Sequence, residues 1–373
     1  MRFKCSKEDL INGIHIVEKA VAVRSTLPIV SNILVETVPN GVKLIANDLE
    51  IGIEYTLKAS VAKEGSVLAP AKTFSGIINK LSTGEVQFEV EENGNIRITC
   101  GQSKFSIHGL PTDDFPVLPK VKGAQEFEIE AELLKEMIRQ TIIAVSMDES
   151  KHVLNGVLIE VNKKEICFVA TDGYRLAQRR GELNKDTGAK ESFIVPTKVL
   201  SEINRAIQQK EFKGKIKVYF SKEQIAFTFD NVYFVSRLIQ GQFPDYKQVI
   251  PKKTEAKIII PRENLLRAAE RSSIIASTSA NIIRLETVNK KLHISANTPD
   301  VGNASELIDV EIAGQEKNKV ALNVRLLLDA LKSMDEEDVY LELTGALSPG
   351  ILKPKNKEQY LYVIMPIRTA ESA

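Results

Sequence analysis

Tryptophan is absent from this chain, cysteine occurs three times and histidine four times. Cys5, Cys100 and Cys167 are an odd number with no CxxC spacing, so neither a disulfide framework nor a zinc site is indicated. A reducing, cytoplasmic setting is the simplest expectation from that usage. His15, His108, His152 and His293 are scattered, with no pairing suited to a metal. No apolar run reaches the length a helix needs to cross a bilayer, and the opening MRFKCSKEDL lacks the apolar core of a signal peptide. Neither sign of charge predominates. Against 50 Lys and Arg stand 49 Asp and Glu, a net charge of +1, so any affinity for nucleic acid must come from how charge is distributed.

Enzyme signatures are missing too. The sequence holds no GxxxxGK(S/T) loop, no GxGxxG after a strand, no HExxH and no GxSxG. Asp113–Asp114 and Glu336–Glu337–Asp338 sit beside turn formers and read as loop or cap residues. One stretch, ATDGYRLAQRR (170–180), does gather a carboxylate, a phenol and a guanidinium around Gly173. Asp172–Gly173 nevertheless reads first as a hairpin turn, since glycine accepts positive φ at little cost. The expectation is a protein with no catalytic residues, no metal and no cofactor.

What the chain has is repetition. At 373 residues it is too long for one ordinary core. A strand running into an amphipathic helix occurs at RFKCSKEDLINGIHIVEKAV (2–21), EFEIEAELLKEMIRQTIIAV (126–145) and KIIIPRENLLRAAERSSIIA (257–276). Alternating apolar residues give way to helical spacing in each, as at Leu10, Ile14, Val17 and Val21, or Leu134, Ile138 and Val145. Ser6 with Asp9 fits an N-cap with an acid in the first turn, and Pro261 suits the first turn of the third copy. A second helix recurs at 70–81, 196–207 and 323–334, each with a basic residue at Lys72, Lys198 or Arg325. Between the two helices lies a strand pair whose turns, PNG, NKK and NKK, divide alternating apolar runs. Linkers VLPKVKGAQE (117–126) and QVIPKKTEAK (248–257) close the first two copies. The pattern predicts α+β architecture in three repeated domains, 1–121, 126–251 and 256–373, with two helices and about eight strands each. The helical segments carry more basic than acidic residues and the remainder is acidic, a distribution that suits non-specific contact with phosphates.

The threefold pattern carries specific motifs: RSTLPIVSNIL (24–34), LPTDDFP (110–116), LNG (154–156), ATDGYRLA (170–177), RLIQGQFPDY (237–246) and YVIMPIR (362–368). In these, over essentially its full length, the chain resembles the bacterial sliding clamps, the beta subunits of replicative DNA polymerase III. The resemblance implies the DNA-clamp fold, a head-to-tail homodimer closing a ring around duplex DNA, with helices lining the hole and sheets outside. It implies sequence-independent DNA contact at Arg24, Lys151 and His152, joined by the helical Lys72, Arg139, Lys198 and Arg205. It implies a dimer interface of Phe74, Phe105 and Ile107 against Ile274 and Ile275. ATDGYRLA becomes one wall of a pocket for peptides of the polymerase, clamp loader and repair proteins. That pocket comprises Leu154, Thr171, Gly173, Tyr174, Arg175 and Leu176, then Pro244 and Val249, then Leu347, Pro349, Val363, Ile364, Met365, Pro366, Ile367 and Arg368. The family often has His where Tyr174 stands and a basic residue where Gln248 stands, and the TAESA tail runs past its usual end. A rival expectation is a threefold-repeat scaffold that binds peptides without encircling DNA.

Overall fold

The computed structural model describes residues 1–22, 27–121, 125–188 and 190–368; Arg24 and the TAESA tail lie outside the described residues. In the first repeat β1 (Arg2–Ser6) leads into α1 (Lys7–Val17). There follow β2 (Asn32–Val38), β3 (Gly41–Asn47), β4 (Ile51–Lys58), β5 (Ser60–Lys63) and β6 (Ser66–Pro70). α2 (Ala71–Lys80) then precedes β7 (Glu85–Val90), β8 (Asn95–Cys100) and β9 (Ser103–His108). The middle repeat opens with β10 (Gln125–Glu130) and α3 (Ala131–Thr141), then β11 (Gly156–Asn162), β12 (Glu165–Thr171), β13 (Arg175–Glu182) and β14 (Lys190–Pro196). It closes with α4 (Thr197–Gln209), β15 (Lys215–Phe220), β16 (Gln224–Phe229) and β17 (Val232–Arg237). The last repeat runs β18 (Ala256–Pro261), α5 (Arg262–Ala276), β19 (Ile282–Val288), β20 (Lys291–Thr298), β21 (Gly302–Asp309), β22 (Glu311–Gly314) and β23 (Lys319–Asn323). α6 (Val324–Lys332), β24 (Asp338–Leu343), β25 (Gly350–Pro354) and β26 (Tyr360–Ile364) complete it.

Local chemistry explains why these segments form. Ser6 Oγ accepts from Asp9 N at 3.0 Å, so the expected cap starts α1. Phe3, Leu10, Ile14 and Val17 are buried, as are Phe127, Leu134 and Ile138 at the matching phase of the second copy. Pro261 stands one residue earlier than expected, as the N-cap of α5 rather than inside its first turn. The recurrent hairpins turn through positive φ at Asn40 (64°), Lys163 (56°), and Asn289 and Lys290 (50° and 60°), which lets two-residue loops match the strand twist. Gly13 lies where a Cβ would come 2.6 Å from the Tyr55 ring, so α1 seats directly on β4.

The chain forms two compact units, Met1–Glu132 with Lys198–Leu238, and Leu133–Thr197 with Ile239–Ala373. Their boundaries cut through the middle repeat instead of falling between repeats. The reason is sheet pairing. In the first unit β17 pairs antiparallel with β4, fusing strands of two repeats into one eight-stranded sheet, β10-β15-β16-β17-β4-β3-β2-β6. In the second, β13 pairs with β26 to give a nine-stranded sheet, β14-β11-β12-β13-β26-β25-β24-β18-β22. The first unit also holds a five-stranded sheet, β5-β1-β7-β8-β9, and the second a four-stranded one, β21-β20-β19-β23. β9 and β21 are edges.

One expected interface residue is corrected here. Phe74 is fully buried: its ring meets Phe88 edge-on at 5.8 Å, and Phe88 stacks on Phe3 at 4.9 Å. It joins α2 to the sheet beneath and presents no surface to a partner, because α2 turns its Phe74–Ile78 stripe inward. Phe74→Ala should therefore cost about 3–5 kcal/mol of folding stability, as large aromatic truncations do. Urea unfolding followed by far-UV circular dichroism would check this; an unchanged midpoint would contradict the core placement.

Candidate functional site

The turn between β12 and β13 is built by its own side chains. Asp172 Oδ1 accepts from Tyr174 N at 2.8 Å and Arg175 N at 3.0 Å, while Thr171 Oγ1 accepts from Gly173 N at 3.1 Å. Gly173 sits at φ 94°, a left-handed conformation that glycine adopts without strain. Thr171 Oγ1 also donates to the Arg175 carbonyl at 2.6 Å, closing the loop. The Asp172 carboxylate is thus spent on backbone donors and on Arg175 Nε at 3.0 Å, which leaves it unsuited to acid–base chemistry.

Arg175 works as a strut. Its Nη1 donates to Asp329 on α6 at 2.5 Å and to the Tyr362 hydroxyl on β26 at 3.2 Å. Burial alone would lower its pKa, but Tyr362, Asp329 and Asp172 together raise it above its ordinary value, so the cation is held in place. Burial pushes the Tyr362 phenol up as well, so it stays a neutral partner. Neither Asp329 nor Tyr362 was singled out from the sequence. Tyr362 carries a signal, since alternation along YLYV turns it inward; Asp329, 154 positions from Arg175, carries none.

Three expected wall residues lie beneath the surface. Leu176 and Val363 face each other across β13 and β26 and belong to a buried cluster with Leu158, Val169, Ile194 and Tyr246. Ile364 is buried opposite Arg175. All three are corrected from an exposed wall to a floor beneath it, because the side chains packed around them leave them almost wholly buried. The accessible part comes from several segments. Tyr174 is 66% exposed, and its carbonyl accepts from Met365 N at 2.9 Å, carrying the pairing one step past β26. Beyond it Ile367 N bonds the Ala321 carbonyl at 2.8 Å, leaving Met365, Pro366 and Ile367 half-buried and Arg368 exposed. Val153, Phe243 and Ile250 pack on the same cluster, so half-buried Leu154 and exposed Pro244 and Val249 are chain neighbours of residues anchored there. Pro349 precedes Gly350, which pairs with Ile364, and Leu347 is exposed in the same loop. The geometry is a hydrogen-bonded rim over an apolar floor.

The expected DNA contacts divide by environment. Lys72 is exposed on α2, with no ion-pair partner among the described residues. Lys198 pairs with Asp48 at 2.6 Å, Arg205 with Glu202 at 2.7 Å, and Arg139 with Asp335. Lys151 and His152 are exposed in the loop before β11, where Lys151 Nζ donates to the Asp172 carbonyl at 3.3 Å and lies 5.7 Å from the Tyr174 ring centre. At the edges, Phe105 is exposed and Ile107 half-buried on β9, while Ile274 is 68% exposed and Ile275 half-buried on α5. Leu307 on edge strand β21 is likewise an exposed large apolar residue, at 61%, and was not singled out from the sequence. An apolar residue alternating outward near a strand end was its only signal.

Among the described residues no group of three or more His, Cys, Asp or Glu could hold a metal, and no helix is long and apolar enough to cross a membrane. Burial pushes the Cys5 thiol up to about 12 and raises Cys167 too, which disfavours both as nucleophiles. Repeated strand–helix modules fused edge to edge through β4·β17 and β13·β26 define a protein of the DNA-clamp fold. Family models agree. The N-terminal, central and C-terminal domains of the DNA polymerase III beta subunit match residues 1–119, 128–245 and 247–368. The beta sliding clamp of Staphylococcus epidermidis is 34% identical over 99% of this chain and all of its own. The DNA polymerase sliding clamp of Bacillus subtilis superposes with a TM-score of 0.94 at 30% identity over 99% of both chains. A Pseudomonas aeruginosa sliding clamp bound to griselimycin gives the same score and identity, covering 99% of this chain and all of its own. The chain belongs to the bacterial DNA polymerase III beta subunit family. Its function is that of a sliding clamp, the non-catalytic processivity factor of the polymerase, and not of a scaffold indifferent to DNA.

Arg175→Lys keeps the charge but loses the fork that meets Asp172 and Asp329 together. It should cost about 1–3 kcal/mol, whereas Tyr174→Ala at the rim should stay within about 0.5 kcal/mol of the parent. Urea denaturation of the two variants side by side is the check; equal midpoints would deny Arg175 its strut role.

Proposed function

We propose that two copies of this chain, each built of domains 1–121, 126–251 and 256–373, join head to tail as a homodimeric ring around duplex DNA in the cytoplasm. The rim over Leu176 and Val363 then tethers the polymerase, clamp loader and repair proteins by their peptides. One observation carries the ring: the bookkeeping of strands. The five-stranded and four-stranded sheets, joined through β9 and β21 of different copies, reproduce strand for strand the nine-stranded sheet that β26 and β13 already form. The two open edges are thus the halves of a junction the chain makes elsewhere for itself, and pairing removes the hazard of exposed edges.

The register follows. Phe105 holds in its hairpin the place of Tyr362, being paired with Ile98 as Tyr362 is with Leu352. Ala304 holds that of Ala177, each paired with the alanine of the preceding strand, Ala296 or Ala170. Carrying over the Ala177–Tyr362 pairing sets Phe105 opposite Ala304 and Ile107 opposite Gly302. Large residues on one edge meet small ones on the other. Ile274, Ile275 and Leu307 add apolar area to that contact.

Weak, exposed basic groups suit sliding. Lys72 has no ion-pair partner among the described residues, and the basic ends of the pairs at Lys198, Arg205 and Arg139 are at least a third exposed, so they can also reach passing phosphates. Lys151 and His152, and Arg24 by family resemblance, join this set. At the rim, backbone groups orient an extended peptide and Met365 adapts to different Leu or Phe anchors.

Sedimentation equilibrium should find a dimer at micromolar concentration that is retained on circular but not linear DNA after loading. Ile274→Asp should yield monomers and abolish retention. Ser106→Cys with Asn303→Cys should form an intermolecular disulfide, and Ser106→Cys with Ala304→Cys should not, since the latter pair is out of register; the opposite outcome would refute the register. At the rim, Met365→Ala and Tyr174→Ala should each weaken a polymerase-tail peptide by about 2 kcal/mol without changing the dimer. Unchanged affinity, read by calorimetry, would move the docking site elsewhere.

A further inference from the structure

The two junctions between repeats share one hydrogen-bond frame. Asp48 Oδ1 accepts from Glu50 N at 3.0 Å and Ile51 N at 2.8 Å, as Asp172 does from Tyr174 and Arg175. Asn47 Oδ1 accepts from Leu49 N at 2.9 Å, as Thr171 does from Gly173. Leu49 stands at φ 77°, where Gly173 stands at 94°. Arg237 N reaches the Glu50 carbonyl at 3.1 Å, the counterpart of Met365 N on Tyr174, and Val235 pairs with Gly52 as Val363 does with Leu176. The first junction therefore offers the same backbone rim, with Glu50 in the place of Tyr174, Arg237 of Met365 and Gly52 of Leu176.

Those exchanges change what the rim can hold. A cavity of about 300 Å³ lies there, lined by Leu49, Glu50, Gly52, Val117 and Arg237 among others. Leu49 is 41% exposed and Val117 89% exposed, so the cavity is flanked by apolar side chains turned to solvent. A side chain at Gly52 would come 2.1 Å from Leu118 Cδ2, so Leu118 already fills the space beside Gly52 that the Leu176 side chain takes at the other junction. Glu50 and Arg237 carry opposite charges in one small cavity, yet neither side chain has an ion-pair partner among the described residues. An aliphatic group between a free anionic and a free cationic side chain is complementary to a ligand with the same pattern reversed.

We infer that the β4–β17 junction is a second docking pocket, taking a short extended peptide with one aliphatic anchor flanked by a carboxylate for Arg237 and a basic group for Glu50. This rests on reading the equivalent β13–β26 junction as a peptide rim. The Leu49–Val117 surface receives the anchor, and the space that Leu118 fills beside Gly52 separates its ligands from those of the other junction.

Photocrosslinking of the full-length chain tests the proposal, using the blocked tripeptide Lys-Leu-Asp with a diazirine leucine and its neutral counterpart Gln-Leu-Asn. Labelling by the charged peptide should map to 47–52, 116–119 and 235–237. It should fall about fivefold with Arg237→Ala, the scale of one exposed ion pair, and further with the neutral peptide, which loses both pairs. Leu49→Gly, which suits the positive φ and so keeps the fold, should also reduce it. Tyr174→Ala should leave it unchanged. Labelling confined to 171–176 and 363–368, labelling indifferent to charge and to both variants, or no labelling would overturn the second pocket. The reading of the β13–β26 rim stands or falls separately, on the polymerase-tail peptide and Met365→Ala.

Discussion

Antiparallel pairing between strands of successive repeats is the constraint on which the rest depends. At β4·β17 and at β13·β26 an edge that would otherwise expose its N–H and C=O groups is satisfied by a neighbouring repeat. Because these pairings run as a continuous ladder, the compact units straddle repeats. A repeat cannot leave its place without unpairing a sheet. The same logic makes β9 and β21 the edges that matter, since each matches a strand whose equivalent is paired elsewhere in the chain.

The turns that feed these junctions are specified by short side chains. Asp48 and Asp172 each bond two backbone N–H groups ahead of them, which aims the third strand of the meander toward the next repeat. A reactive-looking cluster arises because a joint of this kind uses a carboxylate, a residue held at positive φ (Gly173 at one joint, Leu49 at the other) and a hydroxyl or amide within a few positions. Arg175 then ties the joint to α6 and β26 at once. Its burial would be costly for an unpaired cation, and the pairing is what makes it tolerable.

Much of this was legible in the sequence because burial repeats at one phase. Phe3 and Phe127, Leu10 and Leu134, and Ile14 and Ile138 occupy equivalent buried positions, and each hairpin announces itself by residues that accept positive φ. What was not legible depends on partners far along the chain. Phe74 reads as a possible surface residue until Phe88 and Phe3 are seen beneath it. Leu176 and Val363 belong to a motif that reads as a pocket, but their side chains lie side by side on one face of the sheet in a buried cluster. The division into two units follows from ladders between repeats, which leave no periodic mark on the sequence.

The distribution of charge follows from the same architecture. If strand edges hold a ring closed, as proposed above, topology retains the DNA and no single phosphate contact needs to be strong. Lys198, Arg205 and Arg139 can then stay paired with Asp48, Glu202 and Asp335 while their basic groups keep contact with solvent. A tighter basic surface would raise affinity but slow translocation, because each step along the duplex would break stronger contacts. A near-neutral chain with a modest excess of basic helical residues is compatible with such a tether.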